Sequence, residues 1–185
     1  MLGHLFSRGQ EKRVAFDLYD RIVTHARSPD FFSRLGVPDT VDGRFESIAL
    51  HGFLVMNRLK GQGEAAAKVS QALFDRMFAD MDRGLRETGV GDMSVGRHVR
   101  RMAEGFLGRV RAYEAGLSGA EPLAAVLRRN LYGTVDPAPH CVDAMADYIQ
   151  NQAAHLALQP VAELLAGRVG FLAPAPDQAA ARRIP

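Results

Sequence analysis

Residues 72–113 read ALFDRMFADMDRGLRETGVGDMSVGRHVRRMAEGFLGRVRAY and carry two apolar stripes with helical spacing. The stripes recur every three or four residues, at Val69, Leu73, Met77, Met81 and Leu85 and then at Val95, Val99, Met102, Phe106, Val110 and Tyr113. This spacing puts each set on one face of a helix. Gly89 suits the end of the first helix, and Asp92 or Ser94 can cap the second. The stretch therefore predicts a long antiparallel helical hairpin whose two stripes face one core.

Helical patterns continue on both sides of the hairpin. Residues 43–60 are apolar on nearly every side, which is typical of a helix at the centre of a bundle. We therefore expect Phe53 and Leu54 to be among the most buried residues. Further predicted helices cover residues 13–26, 123–131 and 140–158. Because no alternating strand pattern of useful length occurs, the sequence predicts an all-α, single-domain helical bundle of about six or seven helices.

The length, net charge and cysteine content of the chain restrict the possible folds and partners. The chain has 185 residues, a formal net charge of +2 and a single cysteine, so it is long enough for one well-packed domain and has no intrachain disulfide. The charge balance does not favour DNA as a partner. No window approaches the roughly 18 apolar residues that span a bilayer. We predict a flexible N-terminus at 1–12, a helical domain at 13–166 and a flexible C-terminal tail at 167–185.

Catalytic and metal-binding patterns were sought without success. None of the six histidines has the spacing of a helical metal pair, and His140 and Cys141 are adjacent, so their side chains should point apart on a helix. His51 lies in the apolar helix and is expected to be a core residue with a hydrogen-bond partner. The glycines near residue 90 lack the strand and the Gly-Lys-Ser/Thr sequence of a phosphate loop. The sequence thus predicts no enzyme, no metal and no organic cofactor.

Several ordered motifs resemble the ubiquinol–cytochrome c chaperone family. They are GVPDT at 36–40, GRFE at 43–46, LHGFL at 50–54, MDRGLRETGVGD at 81–92 and VGRHVRRMAEGFLGR at 95–109. The resemblance extends over residues 19–113, which is more than half of the chain. It implies an all-α, non-catalytic chaperone for assembly of respiratory complex III that binds newly made cytochrome b. It also implies a contact near the ribosome's tunnel exit and a small partner protein.

The chain lacks the long presequence extension of the mitochondrial members. It therefore resembles a bacterial member of the family, and we expect it in the cytoplasm, either free or peripheral at the inner face of the plasma membrane. A groove between helices could receive an apolar segment of the client. Methionines could line that groove or simply fill the core, and the residues in question are Met56, Met77, Met81, Met93 and Met102.

The outer face of the second hairpin helix is rich in arginine. Its charged residues are Arg97, Arg100, Arg101, Glu104, Arg109 and Arg111. We predict partner binding by the residues Arg97, Arg100, Arg101 and Arg111, which share one side of the helix with positions 104 and 108. The partner could be ribosomal RNA, lipid headgroups or an acidic protein loop, and the competing interpretation is a solvated face.

These patterns leave two classes of function open. The first is the complex III assembly chaperone, and the second is a ribosome- or RNA-binding helical module that uses the arginine-rich face. An apolar groove rimmed by charge would favour the first. Arginines gathered on one exposed face would favour the second.

Overall fold

Eight helices account for most of the described residues, which in this computed structural model are 8–87, 92–133 and 135–174. The helices are α1 (Arg8–Ala26), α2 (Pro29–Ser33), α3 (Val41–Leu59), α4 (Glu64–Glu87), α5 (Asp92–Leu117), α6 (Leu123–Asn130), α7 (Pro139–Leu158) and α8 (Val161–Leu165). No strand occurs in these three ranges. The prediction of an all-α helical bundle is confirmed, with six longer helices and two of five residues.

Helix α3 lies at the centre of the bundle. It begins after Thr40, whose hydroxyl oxygen accepts a hydrogen bond from the Gly43 N–H at 3.1 Å and caps the first turn. Helices α1, α4, α5 and α7 all pack against it. Phe53 and Leu54 are buried, as the all-round apolar pattern predicts. The core therefore forms around α3, and the remaining helices are arranged by the apolar stripes that they turn toward it.

Helices α4 and α5 form the predicted hairpin and pack against each other. On α4 the buried stripe includes Val69, Leu73 and Met77, and on α5 it includes Phe106 and Tyr113. The predicted connector at 88–91 lies outside the described residues, as do the side chains of Leu85, Val95 and Val99. In the part that is described, helical spacing correctly identifies the buried residues of the hairpin, although Arg109 does not lie on the outer face to which it was assigned.

The two ends of the bundle differ from the predicted boundaries. Helix α1 begins at Arg8, because Arg8, Gln10, Glu11 and Lys12 are good helix formers and extend the helix without any apolar pattern, despite the glycine at position 9. At the other end, residues 167–174 follow α8 without forming a helix, and Val169 and Pro174 are buried. The packed part of the chain thus continues eight residues beyond 166.

Candidate functional site

An open groove lies between the C-terminal end of α3, the first half of α4 and the second half of α5. Its volume is about 710 Å³. Apolar side chains form most of its lining, namely Phe53, Met56, Leu59, Ala67, Phe74, Phe106, Leu107 and Val110. These side chains line an open depression on the surface of the bundle.

Aromatic rings form the floor of this groove. Phe53 and Phe106 are buried, and Phe74 is half-buried between them and the solvent. The Phe74 and Phe106 ring centroids are 5.8 Å apart, within the range of a favourable aromatic pair. Tyr113 packs behind Phe53 at 5.3 Å. The floor therefore contains two aromatic pairs, Phe74 with Phe106 and Phe53 with Tyr113, contributed by three different helices.

The outer wall of the groove exposes apolar surface to water. Leu107 on α5 is 53% exposed, and Met56 and Val110 are partly exposed beside it. A large apolar side chain so exposed gains free energy when a partner covers it. Of the methionines considered above, Met77 is core filler whereas Met56 lines the groove, and the side chain of Met93 lies outside the described residues. This surface suits one apolar face of a helix from another protein.

Charged side chains stand at the rim of the groove. Lys60 Nζ and Glu114 Oε1 form an ion pair of 2.6 Å across the gap between α3 and α5. Arg111 also lines the groove and has no ion pair within the described part of the chain. The groove is therefore mostly apolar, with Asn57, Ser70 and Gln71 as polar lining residues, and Arg111 at its edge pairs with no described carboxylate.

All four arginines of the predicted partner surface are exposed. None of Arg97, Arg100, Arg101 and Arg111 forms an ion pair with a described residue. The structure places Arg111 at the apolar groove, whereas Arg101 lines a second pocket between α3, α5 and the end of α6. The side of α5 that carries them is thus free for a partner over much of its length, and the binding role stays a prediction.

Arg109 does not belong to that exposed face, so its assignment to the outer face was wrong. Its Nε donates to Glu46 Oε2 at 2.6 Å and its Nη2 donates to the other carboxylate oxygen. Burial raises the pKa of Glu46, and the neighbouring Arg109 opposes that rise. The pair ties α5 to α3 and, together with Arg101, lines the second pocket, where its side chains are only partly exposed.

A hydrogen-bonded chain of rings lies on the far side of the core from the groove. His51 is 0% exposed, so its predicted place in the core is confirmed, and its Nδ1 lies 2.7 Å from the Ser47 carbonyl oxygen. Since a carbonyl only accepts, Nδ1 carries the proton, and Nε2 accepts from the Tyr148 hydroxyl at 2.9 Å. His25 Nε2 then donates to the Tyr148 oxygen at 2.8 Å. Sequence spacing gave no indication of this contact between α1, α3 and α7.

The described residues contain no group of three or more His, Cys, Asp or Glu side chains that could hold a metal ion. His140 Nε2 and Cys141 Sγ approach to 3.4 Å in the first turn of α7, so the expectation that these neighbours point apart was wrong. Among the same residues, no helix is both long and apolar enough to cross a membrane. The predictions of no metal and no catalysis stay predictions.

The fold and the site together define an all-α helical bundle with an open, mostly apolar groove between α3, α4 and α5. Residues 33–171 match the family described as ubiquinol-cytochrome C chaperone, and the chain belongs to this family. The resemblance inferred from the sequence motifs is therefore confirmed.

Relatives of the chain agree with this assignment. The chain is similar to the ubiquinol-cytochrome-c reductase complex assembly factor 1 of Xenopus laevis, at 25% identity over 148 residues that cover 80% of the chain and 74% of the relative. The protein of the same name from Mus musculus is 24% identical over 152 residues, 82% of the chain and 52% of the relative. The chain thus spans about half the length of the mouse and human relatives.

A solved structure extends the similarity to three dimensions. The crystal structure of the Cbp3 homolog from Brucella abortus matches with a TM-score of 0.79 and 33% sequence identity. The match covers 90% of this chain and 92% of the other. Both the fold and the order of helices are therefore shared over nearly the whole length.

Proposed function

We propose that this protein is a non-catalytic assembly chaperone for ubiquinol–cytochrome c reductase, respiratory complex III. The observation that carries the proposal is the apolar groove between α3, α4 and α5 in a chain of the chaperone family. The client is unassembled cytochrome b, one apolar helical face of which occupies the groove. A membrane protein subunit needs such cover before insertion and assembly, because its apolar helices otherwise meet water.

The groove has a size that suits this task. A volume of about 710 Å³ holds several large side chains, as one face of a helix supplies at successive turns. Each leucine-sized side chain that is fully buried contributes roughly 1.5–3 kcal/mol. Several such contacts give useful affinity, and the exposed wall formed by Leu107 still allows release to the assembling complex.

The test places a charge in the groove of the full chain. In a deletion strain, wild type, Leu107→Glu and Val41→Glu are expressed, and cytochrome b recovered by pulldown and the amount of complex III are measured. Val41 is a matched control, because it is 81% exposed and begins α3 at the end opposite the groove. We expect at least a tenfold loss of recovered cytochrome b for Leu107→Glu only. Equal recovery by all three proteins would reject the groove as the client site.

We keep a second candidate, a ribosome- or RNA-binding module, because the four arginines are exposed and unpaired within the described residues. A polyanion would neutralise them, and binding would then weaken steeply with salt. An anionic membrane surface would use the same side chains, which would hold the protein at the inner face of the plasma membrane. A small partner protein, implied by the resemblance alone, stays a further proposal.

The arginine surface is tested by replacing Arg97, Arg100, Arg101 and Arg111 with glutamine. A charge-matched control replaces four exposed cations in and after α1, namely Lys12, Arg13, Arg21 and Arg27. Cosedimentation with ribosomes and with anionic vesicles is measured at several salt concentrations. If the surface binds a polyanion, only the first variant loses binding and its dependence on salt. Equal binding by both variants makes the arginines a solvated face.

A further inference from the structure

The segment that follows α8, residues 167–174, crosses α7 and is held there through its main chain. The amide of Gln159 makes two hydrogen bonds to Gly170, accepting from its N–H at 2.8 Å and donating to its carbonyl at 2.8 Å. Two residues further, the Leu172 N–H donates to Gln152 Oε1 at 2.7 Å. Gln152 on α7 and Gln159 at its C-cap thus bond to the backbone of this C-terminal segment, as a neighbouring strand would.

Side chains of the same segment point into the bundle between these contacts. The Phe171 ring stacks on the imidazole of His25, with centroids 4.6 Å apart and planes 9° from parallel. Its edge also faces His51 at 5.9 Å, and Val169 is buried. The side chains of residues 169, 171 and 172 therefore pack against the bundle, while the backbone groups of residues 170 and 172 bond to the two glutamines.

The fit between the segment and α7 is incomplete. The Gln152 side chain is fully buried, yet its Nε2 has no hydrogen-bond partner in the described part of the chain. A buried N–H group without an acceptor is destabilising, because it has lost its hydrogen bonds to water and no protein group replaces them. A peptide that brought a carbonyl oxygen to this nitrogen would bind with one more hydrogen bond than the chain's own segment makes.

The C-terminal segment can leave without unfolding a helix. It contributes to none of the eight helices and is joined to α8 through Gly167, whose φ is +77°. A Cβ at Gly167 would lie 2.8 Å from Asp17 Cβ, so glycine is needed for the chain to turn there against α1. Release therefore requires a change at this connection and the loss of the contacts just described.

We infer that Gln152, Gln159 and His25 form a binding site for an extended protein segment, and that residues 167–174 occupy it as a displaceable internal ligand. The occupant is a stretch of a partner protein with a small residue, an aromatic residue and an aliphatic residue in sequence, the chemistry of Gly170, Phe171 and Leu172. The stacked ring selects the aromatic residue, and the glutamines accept any backbone. This site is separate from the apolar groove and does not depend on cytochrome b as client.

The experiment uses the full chain and a labelled peptide, GRVGFLAP, which copies residues 167–174. Binding is measured by fluorescence anisotropy for wild type and for Phe171→Ala, in which the internal ligand is weakened. A tethered competitor acts at high effective concentration, so we expect at least tenfold tighter binding to Phe171→Ala than to wild type. Adding Gln159→Ala to that variant should abolish binding, whereas adding Gln150→Ala, at an exposed position of the same helix, should not.

A second measurement on the wild-type chain does not rely on any variant folding. Hydrogen exchange of the Gly170 and Leu172 amides reports the opening of the segment directly. Exchange at least a hundredfold faster than that of core amides in α3 supports the inference. Three results would overturn the inference. The first is hydrogen exchange of these amides only through global unfolding, and the second is failure of the peptide to bind either protein. The third is dimerisation of the free protein in which two molecules swap the segment.

Discussion

Acidification should destabilise this protein through His51. Burial lowers the pKa of His51 to about 3, helped by the nearby charge of protonated His25 and opposed by the Ser47 carbonyl. In the unfolded chain an imidazole has a pKa near 6.5. The unfolded state therefore binds a proton at a higher pH than the folded state does. The contribution of His51 to the free energy of unfolding is at its maximum above about pH 6.5 and is lost as the pH falls toward about 3.

The size of the effect follows from the two pKa values. Between about pH 8 and pH 4.5 the imidazole of His51 gains a proton in the unfolded chain but not in the folded one. The free energy of unfolding changes only below about pH 6.5, so the effective range is about two pH units. At about 1.4 kcal/mol per pH unit, the free energy of unfolding should fall by about 3 kcal/mol. His25, with a pKa lowered to about 4 by burial, acts in the same direction but is partly exposed.

The assay is urea unfolding followed by circular dichroism at both pH values. Wild type is compared with His51→Gln, which cannot titrate, and with His140→Gln, which removes an exposed imidazole from α7. Because carboxylates also titrate near the lower pH, the loss in free energy of unfolding between the two pH values is compared among the three proteins. We expect a smaller loss for His51→Gln than for the other two. Identical losses in all three would refute the reasoning.

Three further changes test the packing by chemical unfolding. Phe53→Ala should cost about 3–5 kcal/mol because the ring is 1% exposed, while Leu158→Ala, at an 85% exposed position, should change stability by less than about 0.5 kcal/mol. Gly43→Ala should cost about 2–3 kcal/mol, since a Cβ there would lie 2.0 Å from the Pro38 carbonyl oxygen. Gly84→Ala meets no atom within 4 Å on α4 and should stabilise by about 0.5–1 kcal/mol. A neutral Gly43→Ala would contradict the close approach.

Helix positions and the central place of α3 could be predicted because they depend on local spacing. The apolar residues around Phe53 recur on all sides of one helix, and this pattern requires no knowledge of the neighbours. The stripe that holds Leu73 and Met77 is predictable for the same reason. Polar ends such as residues 8–12 carry no such pattern, so the true start of α1 could not be placed.

The groove and the ring chain could not be predicted, because both join residues far apart in sequence. Met56 and Leu107 meet at one surface only after α3, α4 and α5 have packed. The same holds for Arg109, which spacing assigns to a charged face but which Glu46 draws inward. Helical spacing predicts which residues share a side of a helix. Which residues of a neighbouring helix they contact is determined by tertiary packing.

The ring chain has a consequence for how the helices align. The His25, Tyr148 and His51 bonds run in one direction, and the Ser47 hydroxyl closes the path by donating to the Ala26 carbonyl at 2.8 Å. Sliding α1, α3 or α7 by one turn, about 5.4 Å, would leave several buried polar atoms unpaired. Apolar side chains tolerate such a shift far better, since one hydrophobic contact replaces another. These hydrogen bonds between His25, Tyr148 and His51 thus fix the register of α1, α3 and α7. The hydrophobic faces of the three helices alone would allow them to slide past one another.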